Sequence, residues 1–172
     1  MSEQEFEEFA RARTPQLYRS AWLLCGDRHQ AEDLVQETLA KVYVRWHRTF
    51  GARRIDNPAA YAQTTLTRTF LSSRRKRSST ERPSVHLPDH EVPDTSDRSD
   101  VRLALIEALG GLASADRAVL VLRYLEDLSV AEVATQMGTS AGAVRNRSLR
   151  ALERIRPLLD SSLSVIPERH EP

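Results

Sequence analysis

A chain of 172 residues has room for one domain or two small ones, and its 40% apolar content suffices for helical cores. No apolar run approaches the roughly 18 residues that a membrane span requires, which excludes membrane insertion by a helix. The net charge of +1, from 25 Lys and Arg against 24 Asp and Glu, excludes a generic polycation. The charge is instead segregated along the chain, which points to two kinds of partner surface.

The opening MSEQEFEEFA is acidic, unlike the positive start of a secretory signal, so a cytoplasmic protein is expected. Phe6, Phe9 and Ala10 form a first apolar stripe among Glu3, Glu5, Glu7 and Glu8. Thr14-Pro15 has the form of an N-cap followed by proline at the first helical position. Leu17, Tyr18, Ala21, Leu24 and Cys25 continue a buried face until Gly26 ends the helix. The single Cys25 has no disulfide partner and no neighbouring zinc ligands, so it is expected to be a small core residue.

Asp27 with Gln30 makes a D-x-x-Q capping box. The helix that follows, Arg28 to about Arg48, is the most regular in the chain. Ala31, Leu34, Val35, Thr38, Val42 and Trp46 line one side, and Glu32, Asp33, Gln36, Glu37 and Lys41 line the other. Spacing alone makes that polar side a solvated face or a dock for a basic partner.

His47 to Asp56 breaks the periodicity as a basic loop carrying Phe50 and Gly51. Such an aromatic either stacks on an unpaired base or folds back into the core. Asn57-Pro58 restarts a helix by cap and proline. It runs through Tyr61, Leu66, Phe70 and Leu71, with Thr64, Thr65, Thr67 and Arg68 as its polar face. Its end, Arg74, Arg75, Lys76 and Arg77, holds more cations than the helix dipole needs, which points to phosphate contact. From Ser78 to Asp100 three prolines, six carboxylates and the loss of periodicity read as an extended, mobile acidic linker.

A second helical unit begins near Val101. Leu105, Ile106, Ala108 and Leu109 lead to Gly110-Gly111. Ser114 is placed to cap the next helix, which carries Val119, Leu120, Leu122 and Tyr124. Then Ser129 with Glu132 makes a capping box, Val130, Val133, Ala134 and Met137 form an apolar face, and Gly138 ends the helix. Ser140 caps another through Arg156, with Val144, Leu152 and Ile155 inward. Its outer face carries Arg145, Asn146, Arg147 and Arg150. A short helix, a glycine turn and a helix set with Arg and Asn is the helix-turn-helix pattern, whose second helix enters the major groove. Arg donates twice to guanine and Asn pairs with adenine. The tail after Asp160 is expected to fray.

Catalytic motifs are missing: there is no P-loop, nucleophile elbow, H-E-x-x-H or paired-cysteine site. His29, His47, His86, His90 and His170 lack ligand spacing. Neither enzyme activity nor a cofactor or metal is expected.

The chain as a whole resembles bacterial sigma-70 family RNA polymerase sigma factors of the extracytoplasmic-function group, nearest to the actinobacterial SigE-like subfamily. Residues 23–46 (LLCGDRHQAEDLVQETLAKVYVRW) resemble the segment that binds core polymerase. Residues 57–77 resemble the −10 promoter helix, and residues 108–155 the −35 recognition domain. The resemblance implies an all-α protein of two small helical domains, residues 1–77 and 101–160, joined by the acidic linker 78–100 and followed by a tail, 161–172. It implies that Asp33, Gln36 and Glu37 dock on the β′ clamp coiled coil, with the β flap as a further polymerase contact. It implies −10 contacts by Asn57, Tyr61, Thr64, Arg68, Arg74, Arg75, Lys76 and Arg77. For the −35 element it implies Ser140, Ala143, Arg145, Asn146, Arg147 and Arg150. Many relatives are held by an anti-sigma factor, which adds one more partner class. The sequence departs from the family pattern at Gln63, Thr64 and Arg68, and again at Ala143 to Asn146 and Ser148. The promoter sequence is therefore not legible. The expected function is a dissociable subunit for promoter-specific initiation; a stand-alone helix-turn-helix regulator is the alternative. A metal-dependent nuclease is disfavoured by the scattered carboxylates.

Overall fold

The structure, a computed structural model, describes residues 3–47, 55–80 and 97–163, with side chains over 3–47, 55–76 and 101–160. The expected loop around Phe50 and Gly51, most of the expected linker with His86 and His90, the Arg77 side chain and the end of the tail with His170 lie outside these residues. The elements are α1 (Glu3–Cys25), α2 (Arg28–His47), α3 (Pro58–Thr80), α4 (Asp97–Gly110), α5 (Ser114–Leu120), α6 (Val130–Met137) and α7 (Ala141–Leu163). Among the described residues there is no strand, and no helix is long and apolar enough to cross a membrane. Helix extends into both ends of the segment 78–100.

α1 is one helix, not the two expected around Thr14-Pro15. Proline inside a helix removes one backbone hydrogen bond and costs about 3 kcal/mol. Packing on both sides of Pro15 offsets this. Before it, Phe6 and Phe9 sit 5.5 and 5.2 Å from the Trp46 ring of α2. After it, Leu17, Ala21 and Leu24 enter the same core. Pro15 itself is exposed, and the Thr14 hydroxyl donates to the Ala10 carbonyl at 2.8 Å instead of capping.

Gly26, at φ +72°, ends α1 in the left-handed conformation that favours glycine. Asp27 Oδ1 then accepts from the Gln30 N–H at 2.7 Å and starts α2. All six residues expected on the inner side of α2 are buried. In α3, Leu66 and Phe70 are buried as expected, but so is Thr67, which had been placed on the polar face. Its hydroxyl donates to the Gln63 carbonyl at 3.1 Å, which removes most of the cost of burying it.

α5 and the turn that follows it are buried on several sides, because they meet three neighbours. Ala118 and Val121 join the core of α1–α3. Leu120 packs with Ala108, Leu109, Ala151 and Ile155 of α4 and α7. Val119 and Leu122 pack with Val133, Ala134 and Val144 of the helix-turn-helix. Ser114 does not cap it: the N-cap position falls on Ala113, whose extended backbone already makes the turn. The chain continues as a π-helical turn, Val121–Leu125, which leaves Tyr124 59% exposed rather than in the apolar face. Cys25 is half-buried at the edge of the first core.

The two domains pack together. The Arg117 guanidinium donates to the Leu24 carbonyl at the end of α1 at 2.6 Å, and to Gly110 and Leu112 at 2.8 and 3.2 Å. Glu126 accepts from Gln16 Nε2 at 2.8 Å and from the Ser20 hydroxyl. Arg102 lies over the Trp22 ring.

Candidate functional site

Three surfaces carry the residues singled out in the sequence. On α2, Asp33, Gln36 and Glu37 are exposed together, as their helical spacing requires. Glu37 is paired with Lys41 at 2.8 Å. Asp33 and Glu37 also border a groove whose far wall is Phe70, Ser73 and Arg74 of α3.

On α3 the expected residues divide. Asn57 works as the N-cap, its Oδ1 accepting from the Ala60 N–H at 3.0 Å. Tyr61, Thr64 and Arg68 line an open groove with Lys41, Thr65 and Ser72. Lys41, not singled out from the sequence as a nucleic-acid contact, bridges the two helices by donating to Thr69 Oγ1 at 2.9 Å. Arg68 Nε donates across the domain boundary to the Gln136 carbonyl at 3.1 Å. Arg74 is half-buried, 5.5 Å above the Phe70 ring and within 3.4 Å of Gln30 Oε1. Arg75 and Lys76 are exposed.

The helix-turn-helix is built as its sequence pattern demands. Ser129 Oγ accepts from the Glu132 N–H at 3.2 Å, and the Glu132 carboxylate accepts from the Ser129 N–H at 2.8 Å. Hydrogen bonding of the carboxylate to the Ser129 side chain, and then to the Ser129 N–H, holds the Glu132 carboxyl below the usual carboxylate range. Gly138, at φ +63°, makes the turn. Ser140 Oγ accepts from the Ala143 N–H at 3.1 Å and starts α7. Arg145, Asn146 and Arg150 are exposed; Ala143 is half-buried.

One expectation for α7 is corrected, and one residue gains a structural role. Leu152 is exposed, and the inward stripe runs instead through Val144, Ser148, Ala151 and Ile155. Small residues at its centre let α7 approach α5 closely. Leu149 is 60% exposed beside the Arg and Asn residues. Arg147, read as a DNA contact, has its Nη1 2.8 Å from Asp116 Oδ1 of α5. It therefore fixes the recognition helix on its support.

Sequence reasoning missed Asp116 and Arg117. The signal was present: two adjacent charges inside the apolar run ADRAVLVL are out of place unless both are satisfied. Burial lowers the Arg117 pKa to about 10, and the neighbouring Arg74 cation adds to this. It is still charged at neutral pH, and three carbonyls solvate it.

Residues 9–80 match the family described as Sigma-70 region 2, and residues 102–155 match that described as Sigma-70, region 4. The RNA polymerase sigma-E factor of Streptomyces avermitilis is 38% identical over 91% of this chain and 86% of its own length. The chain belongs to the extracytoplasmic-function group of sigma-70 factors. The sigma factor SigL of Mycobacterium tuberculosis, named as such a factor, is 31% identical over 81% of this chain and 80% of its own. Among solved structures, the sigma factor RpoE of Bartonella quintana, in complex with the anti-sigma factor NepR, superposes with a TM-score of 0.67. It is 25% identical, and the match covers 95% of this chain and 99% of that one. As a sigma factor the protein directs promoter-specific transcription initiation by RNA polymerase. Matches to both regions, in order, favour this over a stand-alone regulator.

Proposed function

We propose that the sigma factor docks on the β′ clamp coiled coil of core polymerase through Asp33, Gln36 and Glu37, and on the β flap through its second domain. A carboxylate face suits a basic coil, and charge complementarity steers such an encounter. The −10 element is engaged by Asn57, Tyr61, Thr64 and Arg68, with Arg74, Arg75, Lys76 and Arg77 on the backbone. Arg145, Asn146 and Arg150 read the −35 element in the major groove, while Ser140 and Ala143 set the start of the helix. Arg147, paired with Asp116 but still 37% exposed at its side chain, joins them at the −35 element. The functional divisions are residues 1–77, 78–100, 101–160 and 161–172. The protein acts in the cytoplasm and makes no covalent chemistry of its own. An anti-sigma factor is a further partner, supported by the complex of the Bartonella relative.

The observation that carries this reading is the separation of charge: carboxylates exposed on α2, and cations exposed at the end of α3 and on α7. The test is co-purification with bacterial core RNA polymerase followed by run-off transcription on a genomic library. Stable binding with new promoter-specific transcripts is expected. Binding to duplex DNA without binding to polymerase overturns the docking assignment.

A further inference from the structure

Lys41 is shared between two surfaces of the first domain. Its Nζ lies 2.8 Å from Glu37 Oε1, one helical turn back along α2, and donates to Thr69 Oγ1 of α3 at 2.9 Å. Glu37 borders one groove between these helices, with Asp33 and Arg74. Lys41 borders a second, of about 510 Å³, with Tyr61, Thr64, Arg68 and Ser72. Two cations and a set of hydroxyls line this second groove, and no carboxylate does. That composition suits a phosphate, which takes charge-assisted hydrogen bonds from ammonium, guanidinium and hydroxyl alike. The Lys41 side chain is 48% exposed, while Thr69, its anchor on α3, is buried.

We propose that Lys41 is a switched phosphate contact: Glu37 holds its charge in the free protein, and when a basic partner takes Glu37 the ammonium turns to a backbone phosphate of single-stranded DNA in the second groove. This rests on the docking role of Glu37 and the −10 role of α3 proposed above. An ammonium has three donors, so Thr69 keeps Lys41 on the groove in either state while a second donor changes partner. The exchange is easy because the pair it breaks is weak. Both side chains are about half exposed and they stand four residues apart, which makes the pair worth a factor of about two in an equilibrium. A phosphate contact gives more, since it also releases counterions from the DNA. Polymerase docking and DNA binding are thereby coupled through one side chain, and the coupling is reciprocal.

The test uses the full chain, with oligothymidylate as the single-stranded probe and fluorescence anisotropy across a salt series. Lys41→Met should lower the slope of log affinity against log salt by about 0.7, the share of one phosphate on a single strand, and Lys41→Arg should keep it. An unchanged slope in Lys41→Met, or no binding by wild type at low salt, overturns the phosphate site. Glu37→Gln mimics a carboxylate already taken. Losing a negative charge favours any polyanion, so a double-mutant cycle decides. Glu37→Gln should raise affinity about twofold more with Lys41 in place than in the Lys41→Met background; equal gains in both overturn the switch. The reciprocal is read by competition for core polymerase, where Lys41→Met should tighten binding about twofold more with Glu37 in place than in the Glu37→Gln background. If Asp33→Arg leaves assembly unaltered, the docking face fails by its own assay, and the salt slope still reads the phosphate site.

Discussion

α2 and α7 are both long helices with one buried stripe and one proposed binding face, yet they are built differently. α2 buries Ala31, Leu34, Val35, Thr38, Val42 and Trp46 against a single three-helix core, and its outer face keeps Asp33 and Gln36 exposed. α7 meets α4, α5 and α6 on different sides, and the second domain has two smaller clusters in place of one large core. There, buried and half-buried charges take over part of the positioning: Arg147 on Asp116, and Arg117 on three carbonyls. Where the apolar core is large, it orients the helix and leaves the surface charges to partners. Where it is small, some of the charges are needed for architecture.

Arg117→Met tests this contrast most severely. It strands three carbonyl acceptors, and we expect a loss of about 3 kcal/mol in unfolding free energy by urea titration. A wild-type midpoint would mean that the guanidinium is not structural. The two arginines of α7 should then separate. Arg145→Ala should lower affinity for −35 duplex by about 2 kcal/mol, with stability within roughly 0.5 kcal/mol of wild type. Arg147→Ala should lower stability and DNA affinity together, and Asp116→Asn should reproduce the stability part, about 1.5 kcal/mol. Weakened DNA binding by Arg147→Ala at full stability would break the distinction between the two helices.

On α2, Asp33→Arg should leave stability unchanged and weaken holoenzyme assembly about tenfold, roughly 1.4 kcal/mol, measured by competition for core polymerase. Unaltered assembly removes Asp33 from the docking face. The smallest effect concerns the start of α6. The folded pKa of Glu132 is lowered, so its capping contribution is complete above the ordinary glutamate range. It is lost as pH falls through the folded value. Protection factors of the first-turn amides of α6, with exchange referred to the intrinsic rate at each pH, should fall on acidification in wild type but not in Glu132→Gln; an equal fall in both refutes the assignment.

Local signals were legible wherever one neighbour decides the outcome. The Asp27 cap, the Asn57 cap, the Ser129–Glu132 box and Gly138 involve residues close in sequence, and all stand as the pattern requires. The inner stripe of α2 was readable because one core covers it. Pro15, Thr67 and Leu152 were misplaced because each depends on a distant residue. Aromatic contacts from α2 support α1 as one continuous helix through Pro15. Close approach of α5 selects Ser148 and Ala151 over Leu152 for the inside of α7, and Asp116 captures Arg147.

The sequence by itself determined the all-helical class, most helix starts and stops, the helix-turn-helix and the family, because periodicity, caps and motif order are properties of neighbours along the chain. Only the tertiary structure decided which charges are spent on architecture. It also decided that α5 and the turn after it join three clusters, and that Arg117 holds helix ends of both domains. Those outcomes depend on burial between segments far apart in sequence, where a polar group is kept only if a partner from elsewhere meets it.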